Sequence, residues 1–369
     1  MYTEIKKIIE AGLNGDREKV SRYTTLLVKN LEKNGDTQFA NQIRNILESK
    51  NGGLISLDSV SAKPVDTESR IGIVDISYPA RSEKQIVLNK HTKNEINCFI
   101  ESYKKKDELL KKGIKSPNTL LLYGSPGCGK NTIAEYISST TNLPLVTSRL
   151  DGLVSSLLGN TSKNIRKIFE YTTGKECILF LDEFDAIAKI RDDKNEMGEL
   201  KRVVNSLLQN IDNFDNNNIL IAATNHYHLL DPAIRRRFST VISVDLPAVE
   251  EINQLICLSF ENLSEISISN KQINSLSEAF QGFSHSAIKT TLDNSIRHMV
   301  LQEKHELKNS DVLKEIYLYE NHTVENEDDF ILYLLKNNIP IVEINKIFGF
   351  PLRRIRNLSK KIKEDGFNG

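Results

Sequence analysis

The stretch that most constrains this chain is Asn118–Thr132, which reads NTLLLYGSPGCGKNT. Leu120, Leu121 and Leu122, closed by Tyr123, form the short apolar run of a buried parallel strand. The run breaks into Gly124, Ser125, Pro126, Gly127, Cys128, Gly129 and Lys130, after which Ile133, Ala134 and Ile137 repeat at helical spacing. Strand, glycine-rich loop and helix, with G-x-x-x-x-G-K between them, is the pattern of a phosphate-binding loop. Glycines let successive backbone N–H groups turn inward around an anion, and the helix N-terminus adds its partial positive charge. Lys130 supplies a full charge for the β- and γ-phosphates.

The residue after the lysine is ordinarily Ser or Thr, whose hydroxyl binds Mg²⁺. Here it is Asn131, and Thr132 comes one place late. A shift of one residue on a helix turns a side chain by roughly 100°, so Thr132 is a poor substitute. The amide oxygen of Asn131 is a hard ligand acceptable to Mg²⁺, although it sits one bond further out. The pattern predicts nucleotide binding with weakened placement of the metal.

At 369 residues the chain has room for two or three domains. Lys+Arg and Asp+Glu balance at 49 each, so net charge gives no case for wholesale binding to nucleic acid or membrane. Cys98, Cys128, Cys177 and Cys257 are scattered without a C-x-x-C pair, which reads as reduced thiols. The N-terminus lacks the apolar segment of a signal peptide, and no stretch is long enough to span a bilayer. These features predict a soluble cytoplasmic protein.

Residues 1–50 show helical periodicity (Ile5, Ile8, Ile9; Val20, Leu26, Leu27, Leu31; Phe39, Ile43, Ile46, Leu47), punctuated by Asn-Gly-Asp turns. They predict a small helical bundle, used for docking or as a plain scaffold extension. A linker follows over 51–89, with edge strands expected at Arg70–Ile76 and Gln85–Leu88. From residue 90 a charged helical segment leads into the loop. Strand candidates then alternate with helices: Leu120–Tyr123, Leu143–Thr147, Cys177–Leu181, Ile219–Ala223 and Val241–Val244. This is the signature of an α/β fold with a doubly wound, five-stranded parallel sheet over 90–246. Helices dominate 247–315, read as a separate lid, and 316–369 forms a further helical segment.

Two strand ends carry candidate chemistry, as expected where such sheets face a ligand. Cys177–Leu181 is followed by Asp182 and Glu183. Asp182 would hold the Mg²⁺ shell, and Glu183 would orient and deprotonate an attacking water. Adjacent acids on a strand point to opposite faces, which suits two tasks. The run Ile219–Asn225 likewise ends in a polar residue, Asn225, placed to bond the water or the γ-phosphate, or else a plain turn residue. Then Arg235, Arg236 and Arg237 stand in a row before Phe238. Three adjacent cations suit an anion, such as the γ-phosphate of a neighbouring subunit, or a solvated basic turn.

Taken together, GSPGCGK, LFLDEFDAI, AATN and LDPAIRRRFSTVISVDLP resemble the AAA+ ATPases, and the Arg-Arg-Arg-Phe ending is most similar to their katanin/spastin-like branch. The resemblance covers roughly residues 90–310 and implies ATP and Mg²⁺ as ligands. By it Lys130 is the Walker A lysine, Asp182 and Glu183 the Walker B pair, Asn225 the first sensor, and Arg236 and Arg237 the arginine fingers. It also implies a homo-oligomer, hexameric when active. The segments LDGLVSSLLGNTSKNIRKIFEY, DEFDAIAKIRDD and TNHYHLLDPAIRRRF further resemble the ATPase of a bacterial anti-phage system paired with a subtilisin-like serine protease. Two departures stand out. Leu157 occupies the pore-loop position that usually carries a polypeptide-gripping aromatic, and His285, in GFSHSA, replaces the usual lid glycine near adenine.

In the tail, Phe330, Ile331, Leu334 and Leu335 precede Ile341, Ile344 and Ile347, then Gly349, then Ile355 and Leu358. Short helices about a glycine with these spacings resemble a helix-turn-helix, although Asn345 falls where a small residue is usual. Arg353, Arg354, Arg356, Lys360 and Lys361 suit phosphate contact, as in DNA, or the docking of an acidic protein. Three functions follow: a ring ATPase that remodels or presents a protein, a slow ATP-gated assembly switch, and a DNA-bound ATPase.

Overall fold

The structure, a computed structural model, describes residues 2–13, 17–33, 39–40, 43, 64, 72–79, 85–150, 158–186, 197–261, 269–304 and 306–365. The pore-loop position Leu157, most of the 51–89 segment and the last turn of the N-terminal pattern lie outside them. The chain divides into two compact units, residues 1–63 with 79–82, and residues 64–78 with 83–369. In the first, α1 (Tyr2–Leu13) and α2 (Arg17–Lys33) pack together, with Leu27, Val28, Leu31 and Ala40 buried against Ile8 and Ile43.

The second unit is built on a sheet of β1 (Asp75–Ser77), β2 (Thr119–Tyr123), β3 (Leu145–Arg149), β4 (Ile178–Asp182), β5 (Ile219–Thr224) and β6 (Thr240–Ser243). Their order is β1-β3-β4-β5-β2-β6. The five expected strands are present and mutually parallel. The count of five is corrected to six, because β1 pairs antiparallel with β3, setting Ile76 opposite Val146. Gln85–Leu88 stays irregular and ends in Asn89, whose side chain accepts from the Thr92 backbone at 2.7 Å and caps α3 (Lys90–Lys104). α4 (Lys106–Lys111) follows.

The two faces of the sheet bury different residues, as a period of two requires. Leu120, Leu122, Ile178, Phe180, Ile219 and Ile221 pack with Ile96, Phe99, Ile133 and Ile137 of α3 and α5 (Lys130–Thr141). Leu121, Leu179, Leu181, Leu220 and Ala222 pack with Ile165, Ile168, Val203 and Leu207 of α6 (Leu158–Thr172) and α7 (Met197–Asp212). With both faces covered, the strands read as apolar runs, and their polar ends emerge along one edge of the sheet. A short α8 (Pro232–Arg235) precedes β6.

Beyond the sheet the chain is helical: α9 (Val249–Phe260), α10 (Asn270–Ala279), α11 (His285–Leu301), α12 (Asn309–Asn321), α13 (Glu327–Lys336), α14 (Ile341–Phe348) and α15 (Leu352–Asp365). One continuous core runs from Ile252, Ile256 and Phe280 through Leu313 and Ile316 to Phe330, Ile344, Ile355 and Leu358. Helices α9 to α15 therefore share a single hydrophobic interior. All four cysteines are free, Cys128 and Cys177 buried, and burial pushes the Cys177 thiol up to about 12. Among the described residues no helix is long and apolar enough to cross a membrane.

Candidate functional site

β2 delivers the glycine-rich loop to the edge where β4 and β5 also end. Gly124 follows the strand with φ 153°, and a β-carbon there would lie 2.0 Å from the Val244 carbonyl oxygen, so only bare backbone fits between β2 and β6. Gly127 turns back at φ 77°, and a β-carbon on it would meet Ser284 Oγ at 2.6 Å and Ser286 Cβ at 3.0 Å. Its carbonyl accepts from the Ser286 backbone N–H at 3.0 Å. The first turn of α11 thus rests on the phosphate loop, and Gly127 is the residue that lets it.

Lys130 opens α5 and is only 7% exposed. Its three ammonium donors meet three oxygens: Gly124 O at 2.8 Å, Ser125 O at 3.0 Å and Asn225 Oδ1 at 2.7 Å. Burial draws its pKa below the ordinary lysine value, and Cys128, Asp182 and Asp185 pull the other way. An ammonium can only donate, so Asn225 must present Oδ1 to it, leaving the Nδ2 donors for another acceptor. Asn225 thus links the loop to the end of β5.

Asp182 and Asn131 are also brought together, with Asn131 Nδ2 donating to Asp182 Oδ2 at 3.1 Å. The amide nitrogen, not its oxygen, faces the carboxylate. For both to present oxygen to one cation the Asn131 amide must turn over, which loses this hydrogen bond. Glu183 lies beyond the strand. Its φ of 52° is left-handed, and its backbone N–H donates to Asp182 Oδ1 at 2.8 Å. The two acids therefore diverge through a turn rather than through the strand alternation expected of them. Glu183 Oε1 pairs with Arg149 Nη2, at the end of β3, at 3.4 Å.

The three arginines occupy three environments. The guanidinium of Arg235 lies 5.0 Å from the Tyr227 ring centre, and Tyr227 in turn stacks on Tyr123 at 4.4 Å. Arg237 grips Asp212 with Nε and Nη2, at 3.1 and 3.3 Å, and donates Nη1 to Ala233 O at 3.1 Å. Arg236 is exposed; its backbone N–H donates to Pro232 O at 3.1 Å, while its guanidinium makes no ion pair or hydrogen bond among the described residues.

Comparison with known proteins places this geometry. A model of the AAA family, ATPases associated with various cellular activities, matches residues 120–246, from β2 through β6. An AAA family ATPase of uncharacterised role from Sinorhizobium fredii is 36% identical over 244 residues, 66% of this chain and 73% of that one. The chain belongs to the AAA family of ATPases. A proteasome-activating nucleotidase of Methanococcus maripaludis is 32% identical over 204 residues, 53% of this chain and 50% of its own. A chloroplast ATP-dependent zinc metalloprotease of Arabidopsis thaliana is 34% identical over 164 residues, 42% of this chain and 20% of its own. The chain thus spans half or less of the length of these two relatives.

AAA ATPases hydrolyse ATP with Mg²⁺, and the residues present fit both. The inward-turning loop and buried Lys130 suit the phosphates, and the oxygens of Asp182 and Asn131 are the hard donors a Mg²⁺ ion takes. On the lid side, Leu88, Asn89, Thr92, Leu246, Glu251 and His285 line a small concavity. Neither ring nitrogen of His285 makes a well-aligned hydrogen bond. Burial lowers its pKa, opposed by the Val87 backbone and by Glu251.

Two residues of this AAA ATPase site escaped sequence reasoning. Arg149 ends a strand whose pattern gave it no task. Asp185 is 2% exposed and accepts from Thr224 Oγ1 at 3.0 Å and from the Asn225 backbone N–H at 3.3 Å, so it ties the β4 turn to the tip of β5. A signal for Asp185 existed: a third acid, at the end of DEFD, in a segment otherwise apolar enough to be buried.

Proposed function

We propose that this AAA ATPase works as an oligomeric ring, hexameric when active, in which each nucleotide pocket is completed by an arginine of the next subunit. The carrying observation is the isolation of Arg236. Lys130, Asn225, Asp182 and Glu183 gather at the strand ends of one subunit, while the Arg236 guanidinium has no side-chain partner among the described residues and stays exposed. A desolvated guanidinium stabilises charge developing on a transferring phosphoryl group, which is the use that an unpaired arginine on this motif suits. Arg237, already held by Asp212, sets the direction of the Arg236 segment and acts as its anchor.

Within the pocket Lys130 exchanges its loop carbonyls for phosphate oxygens, and Asp182 with Asn131 would hold the metal, which would supply charge neutralisation. Asn225 Nδ2 and the Glu183 carboxylate orient the attacking water, and Glu183 takes its proton. Because α11 sits on Gly127, a change at the loop moves the lid, and with it the shared core that reaches the C-terminal helices. The ATPase uses this motion to remodel or present a protein. Relatives named for proteasome activation and for ATP-dependent proteolysis support a protein client. The partner we favour is a subtilisin-like serine protease in an anti-phage system, supported by the sequence resemblance described above. A slow ATP-gated assembly switch is the second reading, favoured by the Asn131 amide facing Asp182 and by the Arg149–Glu183 pair.

Sedimentation of the Glu183→Gln variant with and without ATP, alongside turnover per subunit of the unaltered chain across a hundredfold range of concentration, tests the ring. Assembly with ATP and specific activity that rises with concentration support it. Monomers in both states, with constant specific activity, refute it.

A further inference from the structure

The C-terminal pair α14–α15 carries a surface that ATP turnover does not use. Residues 344–363 hold seven lysines and arginines and not one acid, leaving 42 cations against 49 acids in the rest of the chain. On α15 the charge is sorted by side. Ile355 and Leu358 are buried in the core shared with the lid. Arg354 turns toward α13, where it pairs with Glu327 and with Asp328. Arg353, Arg356, Lys360 and Lys361, with Asn357 among them, are exposed and have no ion-pair partner among the described residues. At about 100° per residue these five positions fall within roughly 140° of arc, opposite Ile355.

We propose that this face of α15 docks on the phosphate backbone of duplex DNA and lies along its major groove. Four observations select that occupant. First, the stripe is of one sign and unpaired, so it complements a polyanion. Secondly, its apolar side is buried in protein, so α15 cannot lie in a membrane surface as an amphipathic helix does. Thirdly, no aromatic side chain stands on the exposed face between Leu352 and Lys361, so the stacking platform of single-strand binders is missing. Fourthly, the turn is braced by hydrogen bonds. Gly349 closes α14 at φ 75°, and Asn345 Nδ2 donates across the turn to Phe350 O at 2.7 Å. Asn345, where helix-turn-helix motifs usually carry a small residue, is here the brace that fixes α15 against α14. The helix is about 10–12 Å across and the major groove about 12 Å wide. Asn357, central in the stripe, has the side chain that pairs bidentately with adenine.

The experiment uses the full chain, a labelled 30-base-pair duplex and fluorescence anisotropy between 50 and 200 mM salt. With three to four phosphates neutralised, affinity should fall roughly 40- to 150-fold over that range. The triple variant Arg353→Ala, Arg356→Ala, Lys360→Ala should lose at least tenfold in affinity and most of the salt slope, with ATPase rate and melting temperature unchanged. A charge-matched triple at Lys111, Lys112 and Lys115 of the other exposed basic segment should bind as the unaltered chain does. Absence of a salt-steep signal, equal loss in both triples, or tighter binding to single strands overturns the proposal. None of these outcomes bears on the ring, since the ATPase rate is read separately.

Discussion

Replacing Arg149 by Gln should raise basal ATP turnover. The Arg149–Glu183 contact holds the carboxylate at 3.4 Å from a guanidinium, with the two side chains 65% and 40% exposed. At that separation the Coulomb energy in water is about 1.2 kcal/mol, and exposed pairs measured in proteins retain about 0.2–1 kcal/mol once entropy and screening are counted. A Glu183 held by Arg149 must leave it to reach the water, so the pair subtracts that energy from the catalytic arrangement. Its removal should raise kcat roughly 1.5- to 5-fold at low ionic strength. The gain should shrink as salt is added, because screening weakens the pair in the unaltered protein too. The assay is steady-state phosphate release for both proteins at saturating ATP and Mg²⁺, at 25 and 300 mM salt. A fall in kcat would show that Arg149 supports Glu183 instead of restraining it, and a gain that does not depend on salt would show that the ion pair is not its cause.

Other perturbations probe the remaining contacts. Asn131→Thr removes the amide donation to Asp182 and places a hydroxyl one bond closer; half-saturation by Mg²⁺ should drop about 2- to 5-fold, for a surface hydrogen bond of about 0.5–1 kcal/mol, and an unchanged titration refutes our reading of that position. Asp185→Ala leaves Thr224 Oγ1 and the Asn225 N–H without their buried acceptor; a loss of about 1–3 kcal/mol should appear as a fall of roughly 5- to 150-fold in kcat with little change in KM for ATP. A matched rise in KM would instead place the damage in binding. For His285 the sign is fixed by burial: its proton affinity is lower folded than unfolded, so near and below the ordinary value of 6.5 the unfolded chain binds more protons and stability is lost as pH falls. His285→Gln should flatten the loss of melting temperature between pH 7.5 and 5.5, and an unaltered slope would assign that loss to other groups.

Much of this molecule was legible because its constraints are local. The apolar runs of β2, β4 and β5 are buried on both faces and admit little else, and the loop needs its glycines where backbone meets Val244 or the lid. Lys130 was legible from the spacing of the glycine-rich loop, and Asp182 and Asn225 from their places at the ends of apolar runs. What stayed hidden depends on distant segments. Strand β1 has only three residues and is held by pairing with β3, a partner about 70 positions away. Arg149 acquires its place from the neighbouring strand, and Glu183 from a left-handed turn that no periodicity announces. Arg236 and Arg237 look alike in sequence. Asp212, at the far end of α7, is what separates them.

In the ring we propose, one subunit's Lys130 and its neighbour's Arg236 serve the same nucleotide. Lys130→Ala removes the phosphate anchor and Arg236→Ala the completing cation, and each variant alone should be nearly inactive. When the two are mixed in equal amounts, random assembly pairs an intact loop with an intact arginine at about one site in four, so roughly a quarter of full turnover should return. If the mixture stays as inactive as its parts while each variant still assembles, the arginine does not act across subunits and the account is wrong.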